Sequence, residues 1–305
     1  MKFFDLNKRL YQWLMLLILA FIWGASFILM KRGLETFGPM QVGSLRIFFA
    51  SLFLLPFLFK RLKKFKKKDI KSLLIVGFLG NLFPAFLFAK AQTQVSSSLA
   101  AMLNTLFPIS ALLIGTFFYG LKTEKNKIFG TIIGLIGAVG LVLGDGSDFS
   151  GNNNLYSLYI ILAIIFYAVS LNEIKYKLPD LDGITITIFS FAIIGPFAGG
   201  YLLFSDFSTV VSDPEALKNL FYIILLALGG SAVAVTFFYH LTDYVDVVFA
   251  SLITYLIPIF AIFWGLFDGE KITLLQFAFM GIIFFGVYLV NSNKKKQSSI
   301  SDTKK

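Results

Sequence analysis

The stretch Phe88-Ala-Lys-Ala-Gln-Thr-Gln-Val95 has a counterpart 150 residues later, Phe238-Tyr-His-Leu-Thr-Asp-Tyr-Val245. The two share few identities, but their flanks stay in register without a gap across about 35 residues. The aligned pairs are Gly80 with Gly230, Ala100 with Ala250, Pro108 with Pro258, Ile109 with Ile259, Ala111 with Ala261 and Gly115 with Gly265. At a shift of 144, Trp23, Ser26, Lys31 and Leu34 also align with Tyr167, Ser170, Lys175 and Leu178. The shared register predicts an internal duplication.

The composition places both copies in a membrane. The 305 residues are 57% hydrophobic and 14% charged, with a mean hydropathy of +0.80. Soluble domains are about 45–50% apolar and about 25% charged. The excess apolar residues, 37 Phe among them, must therefore face lipid.

Ten apolar runs are long enough to be membrane spans. They are Gln12–Met30, Met40–Phe59, Leu73–Ala91, Ser97–Tyr119, Ile128–Leu143, Tyr156–Ile174, Ile184–Phe204, Leu220–Leu241, Val247–Phe267 and Leu274–Asn291. In lipid only helices and closed barrels satisfy their backbone, and these solid blocks lack the alternation of barrel strands. We therefore predict an all-α integral membrane protein with ten transmembrane helices. The first run has no signal-peptide cleavage pattern, so we interpret it as a retained helix.

Each copy holds five spans, and an odd number forces the second copy to enter the membrane from the opposite face. We divide the chain into a first five-helix repeat, residues 1–148, and a second, residues 149–305, with a short basic tail. Inverted repeats of this kind are typical of secondary transporters, whose site lies near the bilayer midplane between the halves. The prediction is alternating access to one small-molecule site.

The basic residues predict which way the chain is threaded. With both termini in the cytoplasm, 21 of the 27 Lys and Arg fall in inner segments, five in outer segments and Arg46 within a span. This is a clear positive-inside pattern. The basic run between Lys60 and Lys71 is thereby interpreted as a membrane anchor, and nucleic-acid binding is not expected. We expect a cell-membrane protein with both termini cytoplasmic.

Several other functions lack the residues they need. There is no Cys and a single His, His240, so we expect neither a metal site nor a cofactor. The motifs of membrane metalloproteases, serine hydrolases and ATP-driven pumps are missing from the sequence. An intramembrane enzyme and a non-catalytic scaffold or sensor remain the alternatives to a transporter, although the short loops offer little room for a partner domain.

Polar residues deep within the spans are the candidates for substrate binding. Asn104 aligns with Thr254, and each lies four residues before a matched proline, Pro108 or Pro258. A proline in a helix leaves the carbonyl four residues earlier without its donor, so both positions are expected to break the helix and offer polar groups at equal depth. Helix–helix hydrogen bonding is the structural alternative. The full candidate set is Trp23, Asn81, Asn104, Tyr167, Asn172, Thr254 and Tyr255, with Trp264 either lining an aromatic cavity or facing lipid.

Four ionisable residues are candidates for coupling or gating. Arg46 could bind a ligand or snorkel to the outer interface. Glu173 could exchange a proton, bind a substrate amine or pair with Lys177 one helical turn away. His240 and Lys90 occupy equivalent positions at span ends, where they could gate the pathway or contact headgroups.

A glycine stripe, Gly130, Gly134, Gly137, Gly140 and Gly144, marks the fifth span. Its two Gly-x-x-x-Gly pairs favour close helix approach, either within the chain or in a homodimer.

Three motifs resemble the EamA family of the drug/metabolite transporter superfamily. Phe21-Ile-Trp-Gly-Ala-Ser-Phe27 resembles the family's Trp-Gly-x-x-Phe start, and Leu45-Arg-Ile-Phe-Phe-Ala50 its second-span Arg motif. The block from Ala100 through Pro108 to Glu124 resembles its third-to-fifth-span block and recurs as Ala250 through Pro258 to Glu270. The second copy has no Arg that matches Arg46. The resemblance implies ten helices, cytoplasmic termini and export or exchange of small metabolites such as amino acids.

Overall fold

The computed structural model describes residues 6–121, 125–143, 152–206, 214–245 and 253–292. Within these ranges the chain forms helices and turns and no strand, which confirms the all-helical prediction. The helices are α1 Arg9–Leu34, α2 Pro39–Arg61, α3 Lys67–Ala91, α4 Ser97–Tyr119, α5 Lys125–Leu143, α6 Asn152–Lys177, α7 Gly183–Leu203, α8 Ala216–Thr242, α9 Ile253–Phe267 and α10 Leu274–Ser292.

The predicted spans fall on these helices in order. Seven of the described helices are long and apolar enough to cross a membrane, and α5, α9 and α10 hold shorter apolar stretches. The predicted start of the ninth span, Val247, and the boundary between the two repeats at 148–149 lie outside the described residues. The division into two repeats stays a prediction.

Local sequence explains where several helices begin and end. Pro39 opens α2, where its missing N–H has no helical partner to lose, and the backbone N–H of Gly38 donates to Gln41 Oε1 at 3.0 Å. Asp182 accepts the Thr185 backbone N–H at 3.0 Å and so caps α7. Gly120 ends α4 in the left-handed conformation, with φ of 70°, that glycine adopts without strain.

Large apolar side chains cover the outside of the bundle. Phe117 and Phe118 on α4 are 77% and 75% exposed, and similar residues recur along α1, α2, α9 and α10. In water such a surface would be unfavourable at about 25 cal/mol per Å². Lipid removes that cost, so the surface fits a helical bundle within a bilayer.

The helix contacts repeat at an interval of five helices. Where two helices pack on each other, the two helices five places further along also pack on each other, if α1 is counted as following α10. Helix α1 packs on α9, and α6 packs on α4. Helix α3 packs on α6, and α8 packs on α1. Helix α2 also packs on α7, and α5 packs on α10, and each of these two pairs maps onto itself.

Helices α3 and α8 each contain a π-helical segment. These segments are Phe78–Leu82 and Leu226–Val233, and they contain the aligned glycines Gly80 and Gly230. A methyl group on Gly80 would collide with Ser170 Oγ, and one on Gly230 would lie 2.5 Å from Ser26 Oγ. The two aligned serines thus pack on the two aligned glycines. A π-helical turn holds more residues than an α-helical turn, and π-helical segments inside a helix often mark functional sites.

The glycine stripe of α5 packs within the chain. A methyl group on Gly137 would lie 2.9 Å from the backbone N of Ile283 on α10, and one on Gly140 would collide with Phe279. A methyl on Gly286 of α10 would in turn lie 2.5 Å from the Gly134 backbone N. The stripe therefore brings α5 and α10 together, and Gly144 lies outside the described residues.

Candidate substrate cavity

A cavity of about 150 Å³ lies between helices α1–α4, α6, α8 and α9. Its walls are mainly aromatic and aliphatic. The aromatic lining residues are Trp23, Phe27, Phe88, Phe107, Tyr167, Phe238 and Tyr239, and the polar ones are Ser26, Arg46, Asn81, Asn104, Ser170, Ser231 and Thr254. An apolar pocket with a few polar groups is the usual form of a small-molecule site.

Two hydrogen bonds join the first part of the chain to the π-helical segment of α8 at this cavity. Trp23 Nε1 donates to the Gly230 carbonyl at 2.9 Å, and Arg46 Nε donates to Ser231 Oγ at 2.6 Å. The π-helical geometry shifts the local hydrogen-bond ladder, which turns polar groups of α8 towards α1 and α2. The indole ring also meets Phe238 edge-on at 5.2 Å.

Tyr167 belongs to an aromatic part of the cavity lining. Its ring stacks on Phe88 with centroids 6.0 Å apart and meets Phe107 edge-on at 6.5 Å. Such arrangements match the charge distribution of aromatic rings and hold the side chains in place. The cavity therefore has a preformed aromatic side.

Asn81, Asn104 and Thr254 line the cavity, in keeping with their predicted positions. Asn81 lies in the π-helical segment of α3, and its side-chain amide donates to the Val76 carbonyl at 3.2 Å. Asn104 begins a 3₁₀ turn, Asn104–Leu106. Their binding role stays a prediction.

The two prolines differ from their predicted behaviour in two respects. The carbonyl of Asn104 is not free, because the 3₁₀ turn lets the Phe107 backbone N–H donate to it. The turn interrupts α4 just before Pro108, whereas α9 runs through Pro258 without a break. Proline removes one N–H donor, and a helix in a packed bundle can tolerate that loss.

Asn172 and Tyr255 lie outside the cavity lining. The Asn172 amide donates to the carbonyls of Ala111 at 3.0 Å and Ala168 at 2.8 Å, which joins α6 to α4. Tyr255 packs edge-on against Phe284 of α10 at 5.2 Å. Their positions therefore do not support the predicted contacts of these two residues with substrate. Trp264 also lies apart, against Phe21 and Phe263.

Glu173 is buried near one end of α6, away from the cavity lining. Its two carboxylate oxygens accept hydrogen bonds from Ser72 Oγ and Tyr119 Oη, each at 2.6 Å. It forms no ion pair within the described residues, so the Lys177 pair, one of the alternatives for this residue, is not found there. A buried carboxylate held by two hydroxyl donors from two other helices is a candidate proton site.

Lys90 and His240 lie at helix ends. Lys90 Nζ sits 5.6 Å from the centre of the Tyr156 ring, a cation–π contact. His240 Nδ1 lies 3.4 Å from Asp243 Oδ2, and its ring meets Tyr244 edge-on at 5.1 Å. Neither side chain lines the cavity, and their gating role stays a prediction.

Sequence reasoning missed Ser26, Ser170, Ser231 and Tyr239 as cavity residues. Ser26 and Ser170 were visible as an aligned pair, and each follows its aromatic partner, Trp23 or Tyr167, by three residues. That spacing puts serine and aromatic ring on one helix face. Ser231 carried no signal of its own, because the π-helical segment that presents it does not show in the apolar pattern.

An ionic cluster closes the end of the bundle where α1 stops and α9 joins α10. Lys31 Nζ lies 2.7 Å from Asp268 and 3.1 Å from Glu270, and Arg32 pairs with Asp268. Glu270 also accepts the backbone N–H groups of Ser97 and Ser98 at 2.9 and 3.0 Å, at the start of α4. The cluster therefore ties α1, α4 and α9 together.

The same hydrogen bonds set the ionisation of Glu270. Burial alone raises the pKa of this carboxyl, but the Ser98 hydroxyl, the backbone N–H groups of Ser98 and Ser97, and Lys31 together outweigh burial. The pKa of Glu270 lies below its ordinary value as a result. The carboxylate stays charged at neutral pH.

A second ionic cluster lies at the opposite end, where α2 stops and α7 starts. Arg61 and Lys64 pair with Asp182 at 2.8 and 2.5 Å. Burial raises the pKa of Asp182, but hydrogen bonds from Lys64 and Thr185 outweigh it and hold the pKa below its ordinary range. Lys66 and Lys68 pair with Asp180 nearby, in a more exposed position.

Membrane-type helices around a buried, partly polar cavity define the class as a multi-pass membrane protein with an internal site. The sequence model of the EamA-like transporter family matches residues 11–143 and matches again over residues 154–292. The chain belongs to this family.

Its relatives carry the same broad assignment. An Escherichia coli protein named an uncharacterized inner membrane transporter, YedA, is 27% identical over 92% of this chain and 90% of its own length. A Bacillus subtilis protein named an uncharacterized transporter, YdfC, is 30% identical over 49% of this chain and 47% of its own. A solved crystal structure, 13% identical, shares the fold with a TM-score of 0.65 and covers 95% of this chain and 99% of its own. The protein is a multi-pass membrane transporter, and the family and its relatives indicate transport and not enzymatic activity.

Proposed function

We propose that the protein is a secondary active transporter that moves small organic solutes across the cell membrane by alternating access. The observation that carries the proposal is the cavity itself. It is enclosed by helices from both predicted repeats, and Trp23 and Arg46 of the first reach Gly230 and Ser231 of the second. A site held between two halves changes its access when the halves rock against each other.

Three observations support two inverted copies. The family's sequence model matches twice. The helix contacts repeat at an interval of five helices. The two π-helical segments carry the aligned glycines and pack on the aligned serines.

Cysteine labelling tests the inversion and the threading, since the chain contains no cysteine. Asp148→Cys and Asn126→Cys should react with an impermeant thiol reagent from opposite sides of the membrane, with Asn126 and both termini on the cytoplasmic side. Labelling of both from one compartment contradicts the inverted arrangement.

The proposed solutes are amino acids or related metabolites, and the proposed direction is export. Purified protein in liposomes should move at least one labelled solute from a broad metabolite panel, and no flux of any solute contradicts transport. Asn104→Ala and Thr254→Ala should weaken the apparent affinity because both side chains line the cavity. Unchanged affinity in both variants removes them from the site.

We also propose that Glu173 couples transport to protons. The supporting contacts are the Ser72 and Tyr119 hydroxyls, which can follow a change in carboxyl protonation by rotating their own protons. Glu173→Gln should abolish the pH dependence of flux while solute still binds. A pH profile identical to that of the unmodified protein contradicts the proton role.

A further inference from the structure

The cavity carries one formal charge. Of the described residues that line it, Arg46 alone is ionised, and no Asp or Glu is among them. A guanidinium stays protonated in proteins. The cavity therefore presents a positive charge among largely apolar side chains, where its interaction with an anion is stronger than in water.

Within the described part of the chain, the Arg46 guanidinium has no anionic partner. It forms one side-chain hydrogen bond, from Nε to Ser231 Oγ, and no ion pair. An isolated charge in a low-dielectric site is unfavourable unless something pairs with it. Snorkelling to the interface does not satisfy Arg46 here, because its side chain is fixed to α8 at the cavity wall.

The bond to Ser231 also determines which part of the guanidinium remains available. Because Nε is engaged, the two terminal nitrogens form the free end. Two parallel N–H groups at this end of a guanidinium can donate hydrogen bonds to both oxygens of one carboxylate. A second cation of this kind is missing from the described lining, which favours one carboxylate over a multiply charged anion.

The size and the walls limit the rest of the ligand. A cavity of about 150 Å³ matches cavities that hold a benzene-sized molecule. Trp23, Phe88 and Tyr167 supply apolar surface to the lining. Glu173 of α6 is engaged by Ser72 and Tyr119 outside the lining, and no Asp or Glu is among the described lining residues, so the described cavity offers no carboxylate to a ligand ammonium.

We infer that the substrate is a small organic monocarboxylate with an apolar body, whose carboxylate pairs with the terminal nitrogens of Arg46. This inference rests on the proposed transport function and narrows its substrate class from amino acids and related metabolites to monocarboxylates that carry no ammonium group. It also predicts that cations of the same size are rejected, because the cavity repels them.

Calorimetry on the full chain in nanodiscs tests the inference with two size-matched probe series. One is benzoate, benzamide and benzylamine, and the other is valerate, valeramide and pentylamine. We expect each carboxylate to bind at least about tenfold more tightly than its amide or amine, since a hydrogen bond between two charged groups is stronger than one to a neutral group. If neither carboxylate exceeds its amide and amine, the inference is overturned, whatever any variant does.

Variants then assign the preference to Arg46. Arg46→Gln should lose the preference for carboxylates, and Arg46→Lys should keep part of it, because it retains the charge but not the two parallel N–H groups. Arg9→Gln, the same change at the exposed start of α1, is the matched control and should bind benzoate normally. Equal benzoate affinity in folded Arg46→Gln protein also overturns the inference.

Flux in liposomes separates this inference from the transport proposal. If neutral solutes cross and carboxylates show no advantage, transport stands and the carboxylate site is wrong. If carboxylates bind selectively but no solute crosses, the site stands and transport is wrong.

Discussion

Trp23 and Trp264 carry the same indole donor in different surroundings. Trp23 Nε1 donates to the Gly230 carbonyl at the cavity, whereas the buried Nε1 of Trp264 has no hydrogen-bond partner among the described residues. Among the described residues, the indole N–H therefore contributes a hydrogen bond at Trp23 and none at Trp264. It also joins α1 to the α8 segment that presents Ser231 to Arg46.

Trp23→Phe should destabilise the protein by about 1–3 kcal/mol, because the Gly230 carbonyl loses its donor in an apolar interior. Trp264→Phe removes an indole that makes no such bond and should be close to neutral. Thermal unfolding in detergent measures both variants side by side. Equal loss in the two variants means that ring volume, and not the hydrogen bond, accounts for the effect.

Helix phase explains which site residues could be predicted from sequence. Tyr167 and Asn172 are five residues apart on α6, so they lie about 140° apart around the helix and cannot face the same cavity. Ser170, three residues from Tyr167, shares its face and lines the cavity. The sequence indicates how deep in the membrane a residue lies. Which residues at that depth reach the site depends on the helix face on which each of them lies.

At the scale of elements, the apolar pattern was sufficient to place the helices but not their irregularities. Ten apolar runs predicted the described helices in order, because each run must span the same thickness of lipid. The π-helical segments Phe78–Leu82 and Leu226–Val233 were not predicted. An extra residue in a turn changes no hydropathy, and only the aligned glycines within the two segments indicated something unusual.

Gly286 and Gly281 on α10 allow the packing of this helix to be tested with one substitution at two positions. A methyl on Gly286 would lie 2.5 Å from the Gly134 backbone N and 2.6 Å from the Gly130 carbonyl, whereas one on Gly281 meets nothing within 4 Å. Gly286→Ala should lower stability by about 1–3 kcal/mol, since backbone atoms of α5 must move apart. Gly281→Ala should be neutral or raise stability by about 0.5–1 kcal/mol through its helix propensity.

Unfolding midpoints in detergent compare the two alanine variants directly. If Gly286→Ala is as stable as Gly281→Ala, then α5 and α10 do not approach as closely as described. A change in oligomeric state on Gly286→Ala, with the monomer unaffected, would instead place Gly286 in a homodimer interface.

At the scale of the whole molecule, the ionic clusters at the two ends connect helices that must separate if the cavity is to open. Glu270 holds α4 to α1 in one cluster, and its pKa lies below its ordinary value. A lowered folded-state pKa means that the carboxylate stabilises the fold fully above its unfolded pKa of about 4.3 and that this contribution is lost as the pH falls through the folded value.

Glu270→Gln should therefore destabilise the protein by about 1–3 kcal/mol at pH 7, and the difference from the unmodified protein should shrink as the pH falls below about 4. Unfolding temperatures from pH 7 to pH 3 give this difference. Glu215→Gln is the control, because Glu215 is 62% exposed in its pair with Lys218, and such surface pairs are worth about 0–1 kcal/mol. A difference that stays constant with pH rules out the charge of Glu270 as the cause.

The two clusters lie at opposite ends of the bundle, so alternating access predicts that weakening them has opposite effects. Asp268→Asn removes the shared partner of Lys31 and Arg32, and Asp182→Asn removes the shared partner of Arg61 and Lys64.

With Ser26→Cys as a reporter in the cavity, an impermeant anionic thiol reagent measures access from each side of a liposome. With the proposed threading, which puts the Asp268 cluster on the outer side, Asp268→Asn should speed labelling from the outer side and slow it from the inner side, because one equilibrium supplies both conformations. Asp182→Asn should do the reverse. If each variant speeds labelling from its own side without slowing it from the other, the two ends open independently and the halves do not alternate.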